Sequence, residues 1–457
     1  MGMLKTTCLL SCLASLALMG CAAPRPPQPM PALEHAPLPS GWRAAASGEF
    51  DAAVLGFPVD ETLRALIAEA VRYNADLRQA AARTEQAQAA LKAAGGAMLP
   101  TLALGGQAGN STLPTSSMST SGVGLVVAWE ADLWGLLSAE QGAARSRLQA
   151  SELDLAYARQ SLAANVARGW IALKENARQL EIARQTLEMS RQQLALIELG
   201  QRVGRNTRQE VAQHQAVVEA RRQQALAREQ ARDQARRALE VLLGRYPAGE
   251  LADCGPLPAA SDALPAGIPS ELLSRRPDVQ AAERRFAAAF YGVEAAKRAR
   301  LPSLKLTGGV AYIEDSAVLL KSGIDNPLWA ITGQLLAPIF TGGQLAAQVE
   351  AQNGKQREAL AGYNKAALNA LAEVENGLNG ERLLSLRERA LQAQTDALAQ
   401  SVRYADAQKK AGKIDNYQLL QQRLNLMTAQ ADLLRLQSQR LDNRIALHLA
   451  LGGRFPL

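Results

Sequence analysis

The sequence is poor in cysteine, histidine and aromatic residues, and these shortages exclude several classes of protein. It has 4 Cys and 3 His among 457 residues, with no CxxC or HxxxH pair, so a protein with several metal sites is not expected. Lys and Arg number 50 against 43 Asp and Glu, without a sustained basic block, so nucleic acid is not an expected partner. We therefore predict neither a metal nor a cofactor.

Patterns of catalytic residues are also missing. His214 and His448 lie in helical patterns, and no Ser-His-Asp arrangement is indicated. The glycine-rich segments at 121–124 and 341–343 lack the Lys-Ser/Thr pair of a phosphate-binding loop. Cys254 lies in a Pro/Gly-rich connector without a neighbouring base, which favours a passive thiol. The sequence predicts a protein that is not an enzyme.

The N-terminus indicates export. Lys5 precedes an apolar segment at 8–19 that is too short to span a bilayer, and Leu18-Met19-Gly20-Cys21 follows. This resembles the lipobox of bacterial lipoproteins, which implies a signal peptide at 1–20 and acylation of Cys21, with Ala22 implying sorting to the outer membrane. The Pro-rich part of 21–59 then forms an extended tether. A plain secretory signal with an incidental cysteine is the alternative.

The remaining sequence contains an internal repeat. It predicts a first copy at 60–247, a connector at 248–270 and a second copy at 271–457. The difference in residue number between matched positions grows from 202 to 208 along the chain. We expect the last two of the six extra residues to lie inside a helix. The matched positions are Asp76 with Asp278, Leu99-Pro100 with Leu301-Pro302, Leu133-Trp134 with Ile339-Phe340, Tyr157 with Tyr363, and Gly204 with Gly412.

Each copy has the same order of periodicities: a helix, two alternating strands, and a long helical hairpin. Heptad leucines such as those from Val166 to Leu194 predict helix seams. A hairpin turns at a glycine in each copy, Gly204 and Gly412. The predicted bounds are helices at 62–97 and 278–300, strands at 102–108, 123–133, 304–312 and 329–339, polar loops at 110–122 and 314–326, and a first long helix at 138–200 that returns to Gly244.

The number of predicted strands indicates how many chains the protein needs to form a barrel. No mature segment has 18 consecutive apolar residues, so no transmembrane helix is expected. The strands alternate over about the ten residues that cross a membrane in a barrel. Only helices and closed barrels satisfy the backbone in lipid, and four strands are too few to close one. A trimer would supply twelve.

Several motifs then carry a family resemblance that covers nearly all of the mature chain in order. The chain resembles the TolC-type outer-membrane factors, in the lipoprotein branch that serves RND efflux pumps. This implies an α+β membrane protein: a homotrimeric 12-stranded β-barrel, continued by a long periplasmic α-helical barrel and built from two internal repeats. The motifs are LLSRRPDVQAAE at 272–283, WEADLWG at 129–135, PIFTGG at 338–343 and LALGG at 449–453.

The resemblance implies a passive duct that exports drugs or other small molecules from the periplasm to the exterior. Its partners would be a periplasmic adaptor protein, an inner-membrane RND-type pump and outer-membrane lipid. A duct for type I protein secretion or for metal-ion efflux is an alternative with the same architecture. An alternative from another class is a coiled-coil scaffold lipoprotein without a channel, which would not need four strands preserved in two copies.

The resemblance also assigns sites at the periplasmic end of the hairpins. The tips would dock the adaptor through Val203, Gly204, Arg205, Gly412 and Lys413, because glycine permits a tight turn and close backbone approach.

The aperture is expected to depart from the family pattern. Many relatives have an aspartate nine residues after the second tip glycine, where this chain has Gln421, and Gln213 is its counterpart. The surroundings are basic, which predicts a weakly anion-preferring or unselective channel. The alternative is that these basic side chains face outward onto the adaptor and leave the lumen unaffected. The charged residues around the two turns are Arg202, Arg205, Arg208, Lys409, Lys410 and Lys413 with the acids Glu198, Glu210 and Asp415.

Overall fold

The computed structural model describes residues 25–27, 42, 57–113, 116–252, 255–261, 269–315 and 328–455. The expected signal peptide, the acylation site Cys21 and the connector thiol Cys254 lie outside these residues. Within the described part, none of the helices combines the length and the apolar character that crossing a membrane requires.

The described chain forms eight helices and four strands, which repeat in the same order in each copy. The first copy contains α1 (Glu61–Tyr73), α2 (Ala75–Gly96), β1 (Thr101–Leu113), β2 (Ser116–Ala131), α3 (Leu136–Arg202) and α4 (Arg208–Leu242). The second contains α5 (Pro269–Arg275), α6 (Pro277–Arg298), β3 (Ser303–Asp315), β4 (Leu328–Leu336), α7 (Gln344–Lys410) and α8 (Asn416–Ala450).

The strands form one antiparallel sheet in the order β1-β2-β3-β4, so β1 and β4 are the edges of the described sheet. The predicted loop at 110–122 is wrong, because pairing continues to Leu113 opposite Ser116. Thr suits a strand as well as a turn, and the Ser residues of this segment favour a turn, so composition alone predicted the wrong state. β4 ends at Leu336, before Pro338, which cannot donate a ladder hydrogen bond. The predicted loop at 314–326 lies almost wholly outside the described residues.

The helix predicted at 62–97 is broken at Asn74. Its Oδ1 accepts from the N–H of Leu77 at 3.0 Å and caps α2, while its Nδ2 donates to the carbonyl of Leu242 at 3.0 Å. Asp60 caps α1 by accepting from the N–H of Leu63. Side-chain capping satisfies donors that a helix start leaves free, so the break costs little.

The described chain packs into two compact units, each of which takes segments from both copies. One contains 82–153 and 280–366, including the sheet, and the other contains 154–279 and 367–457 together with α1. The core of the second unit buries Trp170, Leu63, Ile67 and Ile445.

The long helices match closely between the copies. Each copy pairs a helix of 67 residues, α3 or α7, with one of 35, α4 or α8, and every bound differs by 208. At about 1.5 Å per residue the longer helices reach roughly 100 Å. The difference in residue number has therefore reached 208 before α3 and α7 begin. The predicted match of Tyr157 with Tyr363, which differ by 206, is wrong by two residues.

Two close approaches confirm the offset of 208. A Cβ added at Gly169 would lie 3.3 Å from the Leu239 side chain, and one at Gly377 would lie 2.9 Å from that of Leu447. The long and short helices of each hairpin thus meet at a glycine in the same place.

The RRPD motif, which could suggest an anion site, is a buried ion-pair network. Arg276 is 2% exposed and donates to both oxygens of Asp278, at 3.0 and 2.7 Å. It also donates to Glu373 at 2.6 Å and to the carbonyl of Ala450 at 3.1 Å. Burial lowers the pKa of the guanidinium, but the two carboxylates outweigh burial and raise it. In the second copy Arg276 thus fixes the end of α8, as Asn74 fixes the end of α4 in the first.

Candidate functional site: the two hairpin tips

Both hairpins reverse direction at a glycine with a left-handed backbone. Gly204 has φ +76° and Gly412 has φ +73°. The next residue closes each turn, as the N–H of Arg205 donates to the carbonyl of Gly200 at 2.7 Å and that of Lys413 to Gln408 at 2.9 Å. An L-residue at either glycine would be strained locally, so glycine is favoured at both positions.

The returning helices begin with equivalent caps. Thr207 accepts from the N–H of Glu210 at 3.2 Å, and the Glu210 carboxylate accepts from the N–H of Thr207 at 2.6 Å, which is a capping box. The backbone N–H of Thr207 is the main cause that lowers the pKa of Glu210. Asp415 caps α8 by accepting from the N–H of Gln418 at 2.8 Å. Two of the three tip acids are therefore engaged at helix N-termini.

The predicted docking residues lie on open surface at these tips. Among the described residues, and apart from each glycine and its two chain neighbours, no atom lies within 4 Å of a Cβ built at Gly204 or at Gly412. Val203 is 63% exposed, and Arg205 and Lys413 are also exposed. A partner can thus approach the backbone of both turns directly.

A cavity of about 820 Å³ lies between the two hairpins near their tips. His214 of α4 and Tyr417 of α8 meet across it, with ring centroids 5.6 Å apart and planes at 88°. This pair was not predictable from the sequence, because residues 203 positions apart give no local signal. The cavity combines apolar and polar walls, formed by Leu196, Ile197, Leu199, Gly200, Val203, Arg205, Asn206, Glu210, His214, Asp415, Asn416 and Tyr417.

The residues assigned to the aperture are exposed. Gln213 lies on α4 and Gln421 on α8, where its Nε2 donates to Oδ1 of Asn425 at 3.3 Å. Arg202 ends α3 and Arg208 begins α4, both exposed. The structure brings Arg205 and Asp415 to the shared cavity, whereas Arg202, Arg208, Gln213 and Gln421 do not line it.

Comparisons with known proteins agree with the repeat and the fold. The model of the outer membrane efflux protein family matches residues 66–245 and 268–453, one segment per copy. The chain is 33% identical to the pyoverdine export outer membrane protein OpmQ of Pseudomonas putida, over 96% of both chains. It is 29% identical to the cation efflux system protein CusC of Escherichia coli, over 97% of this chain and 99% of CusC.

The fold is similar to that of a solved outer-membrane channel. The open-state structure of the Neisseria gonorrhoeae MtrE outer membrane channel superposes with a TM-score of 0.81 at 26% identity. The match covers 94% of this chain and 97% of MtrE.

Proposed function

This chain belongs to the outer membrane efflux protein family and is an outer-membrane channel component of an efflux system, and we propose that it is the passive duct through which an RND-type pump expels small molecules. Outer-membrane factors of this family form trimers and work with an adaptor and an inner-membrane pump. The sheet supports a trimer here, since β1 and β4 are open edges that lipid does not tolerate. Pairing β1 of one subunit with β4 of the next would close twelve strands.

The cargo is a separate question from the duct. OpmQ is named for pyoverdine export and CusC for cation efflux, so similar chains serve chemically different cargoes. We assign selection to the pump and propose small organic molecules, drugs among them, as the cargo of this chain. Metal-ion efflux is the second candidate, and it is favoured by the similarity to CusC. Membership of the efflux family and the four-stranded sheet argue against the alternative of a coiled-coil scaffold without a channel.

Adaptor docking is proposed at the tips, around Val203, Gly204 and Arg205 and around Gly412 and Lys413. The supporting observation is the open space over both tip glycines. Helical partners that present apolar and polar side chains in alternation would fit a surface whose backbone is bare and whose neighbouring cavity has mixed walls.

Large side chains at the tips test this assignment. Gly204→Trp and Gly412→Trp should each abolish drug resistance in cells while trimer abundance in the outer membrane stays unchanged. Gly342→Trp is the matched control, because Gly342 also has positive φ (+56°) and open space but precedes α7, whereas Gly412 follows it. If resistance survives both tip changes, the adaptor docks elsewhere.

Lipid anchoring is proposed at Cys21, which lies outside the described residues. The support is the sequence Leu18-Met19-Gly20-Cys21 after an apolar segment. Two acyl chains of a diacylglycerol give stable membrane attachment, whereas one gives only marginal attachment. Radioactive palmitate should label the wild type and not Cys21→Ala, and label retained in the variant would refute the anchor. The barrel should insert in both proteins.

A further inference from the structure

The two faces of the sheet differ in chemistry. On the face opposite Leu125, Glu130 pairs with Lys305 at 3.6 Å, and Gln334 lies beside Lys305 in the next strand. In an outer-membrane barrel the apolar face meets lipid and the polar face lines the lumen. The face of Glu130 and Lys305 is therefore the lumenal face. The other face carries an exposed apolar row that crosses all four strands, formed by Leu104, Leu125, Val310 and Trp329.

A cavity of about 350 Å³ lies where the lumenal face of the sheet meets the helices. Glu130, Lys305 and Leu336 line it from the sheet, and Leu136 and Ala299 line it from the helical side. Leu136 and Ala299 also line a second cavity, of about 760 Å³. The two cavities are therefore neighbours, and the second one also lies on the lumenal side.

The second cavity extends over four helices that lie side by side. A Cβ added at Gly95 of α2 would lie 3.1 Å from Gln141 of α3, and one at Gly142 of α3 would lie 3.0 Å from Tyr291 of α6. Gly292 makes the equivalent close approach between α6 and α7. All four helices line the cavity, which places it on the concave face of their layer. In a closed helical barrel the concave face is the wall of the duct.

The wall of this second cavity is basic. Three of its charged side chains are cationic, Arg147 of α3, Arg285 of α6 and Lys355 of α7, and the fourth is the carboxylate of Glu140. All four are exposed, and most of the remaining lining residues are alanines. The smaller cavity adds two acids and two bases, which leave the balance unchanged. The described wall thus carries two net positive charges in each chain.

The opposing carboxylate is held in an unfavourable place. Burial, with the nearby carboxylates of Glu130 and Asp132, raises the pKa of Glu140. A trimer would carry six net positive charges around the duct at this level. Charges of one sign on the wall of a narrow passage concentrate ions of the opposite sign there.

We propose that Arg147, Arg285 and Lys355, the basic collar, bind organic anions on the wall of the duct, so that the cargo consists of small organic molecules with carboxylate, sulfonate or phosphate groups. The inference rests on the proposed function and names the class of its cargo. Guanidinium groups match the geometry of such oxyanions, and the alanines between them leave room for the hydrocarbon part of a ligand. Metal cations are repelled by the collar, which adds a preference in the duct to the selection made by the pump.

Binding of a polyvalent organic anion tests the collar in the full-length trimer. The probe is 1,3,6,8-pyrenetetrasulfonate, followed by its fluorescence anisotropy as purified protein is added. The wild type should bind it, more weakly as salt is raised. Arg147→Gln combined with Lys355→Gln removes six charges from a trimer and should weaken binding by at least about tenfold.

Two further variants serve as controls. Arg145→Gln combined with Arg357→Gln removes the same charge from the same helices, but these exposed residues lie two positions away, about 200° around each helix. Binding should change by less than about twofold. Arg147→Lys combined with Lys355→Arg keeps the charge and should bind the probe as the wild type does.

The outcomes separate the collar from the duct. Weakened binding in the Gln pair of the collar alone, with trimer shown by native mass in every variant, supports the proposal. A trimeric wild type that does not bind the probe, or equal loss in the collar and control pairs, overturns the collar and leaves the trimeric duct standing. A wild type that stays monomeric in mild detergent overturns both.

Discussion

At the scale of single residues, the residue two positions before the end of each returning helix binds the segment that follows the helix. In the first copy Glu240 is buried and accepts from the backbone N–H of Gly249 and Glu250, each at 2.7 Å, and of Leu251 at 3.1 Å. In the second copy His448 has this position. It is buried against Phe455 at a centroid distance of 4.9 Å. Equivalent positions thus hold the following segment in place, by hydrogen bonds from the backbone in the first copy and by aromatic packing in the second.

We predict that Glu240 stabilises the folded protein at neutral pH and that this stabilisation is lost in acid. Burial alone would raise its pKa, but the three backbone donors and Arg236 outweigh burial and lower it. A depressed pKa contributes stability above the unfolded value of about 4.3, and this contribution is lost as pH falls through the lower folded value. Glu240→Gln should lower the thermal midpoint at pH 7, by the equivalent of about 1–3 kcal/mol.

The difference between the two proteins should shrink as the pH falls below the unfolded value of about 4.3, and it should vanish once the folded carboxylate is protonated. Glu250→Gln is the control, because the Glu250 side chain is exposed, and it should change the midpoint little. A Glu240→Gln effect that is the same at pH 3 and pH 7 would refute the electrostatic account.

At the scale of elements, the sequence predicts one helix seam well and the other poorly. The heptad residues of α3 from Val166 to Leu187 are buried as predicted, because leucine spacing reports a continuous apolar face directly. In α7 the positions equivalent to Leu173 and Leu180 are Glu381 and Glu388. They pair with Arg440, at 2.7 and 2.9 Å. The sequence predicts the α7 seam at the heptad Leu384, Leu391 and Leu398, but these three leucines are only partly buried. The charged cluster around Arg440 leaves no apolar periodicity, so the heptad pattern does not reveal it.

The candidate site also has features that the sequence predicts and features that it does not. The turns at Gly204 and Gly412 were predictable, since glycine at the end of a helical pattern is a local signal. The break at Asn74 was not, because asparagine within a helical pattern is common and its capping depends on Leu77 and Leu242. Contacts made across hairpins, such as that of His214 with Tyr417, depend on tertiary packing.

A proline in the sheet should prevent assembly. Val310 lies in the inner strand β3, opposite Leu125 on one side and Trp329 on the other. Val310→Pro removes a backbone donor from the ladder, and a loss of more than about 1.4 kcal/mol shifts an assembly equilibrium about tenfold. Trimer in the outer-membrane fraction, measured by native mass, should fall by at least about tenfold. Ser303→Pro, at the first residue of the strand, should assemble, and unchanged trimer in Val310→Pro would contradict the shared barrel.

At the scale of the whole molecule, charge at the tips is multiplied by the trimer. Glu210 and Asp415 are engaged as helix caps, while Lys409 donates to the neutral side chain of Asn416 at 2.6 Å. In the proposed trimer, three copies of this basic surface would surround the periplasmic end of the duct, and charges at a narrow mouth act over about 8 to 10 Å at physiological salt. The mouth should therefore favour anions weakly or not select.

We predict that Gln421→Asp shifts the channel toward cations. The change adds three carboxylates to one trimer, on an exposed face of α8 one turn from Asn425, and rings of acidic side chains favour cation passage. Gln421→Asn is the control, because Asn has the shape of Asp without its charge. Reversal potentials of single trimers in a planar bilayer under a salt gradient give the measurement. Strong cation preference in the unmodified protein would show that acids elsewhere along the duct, rather than the tip, govern its selectivity.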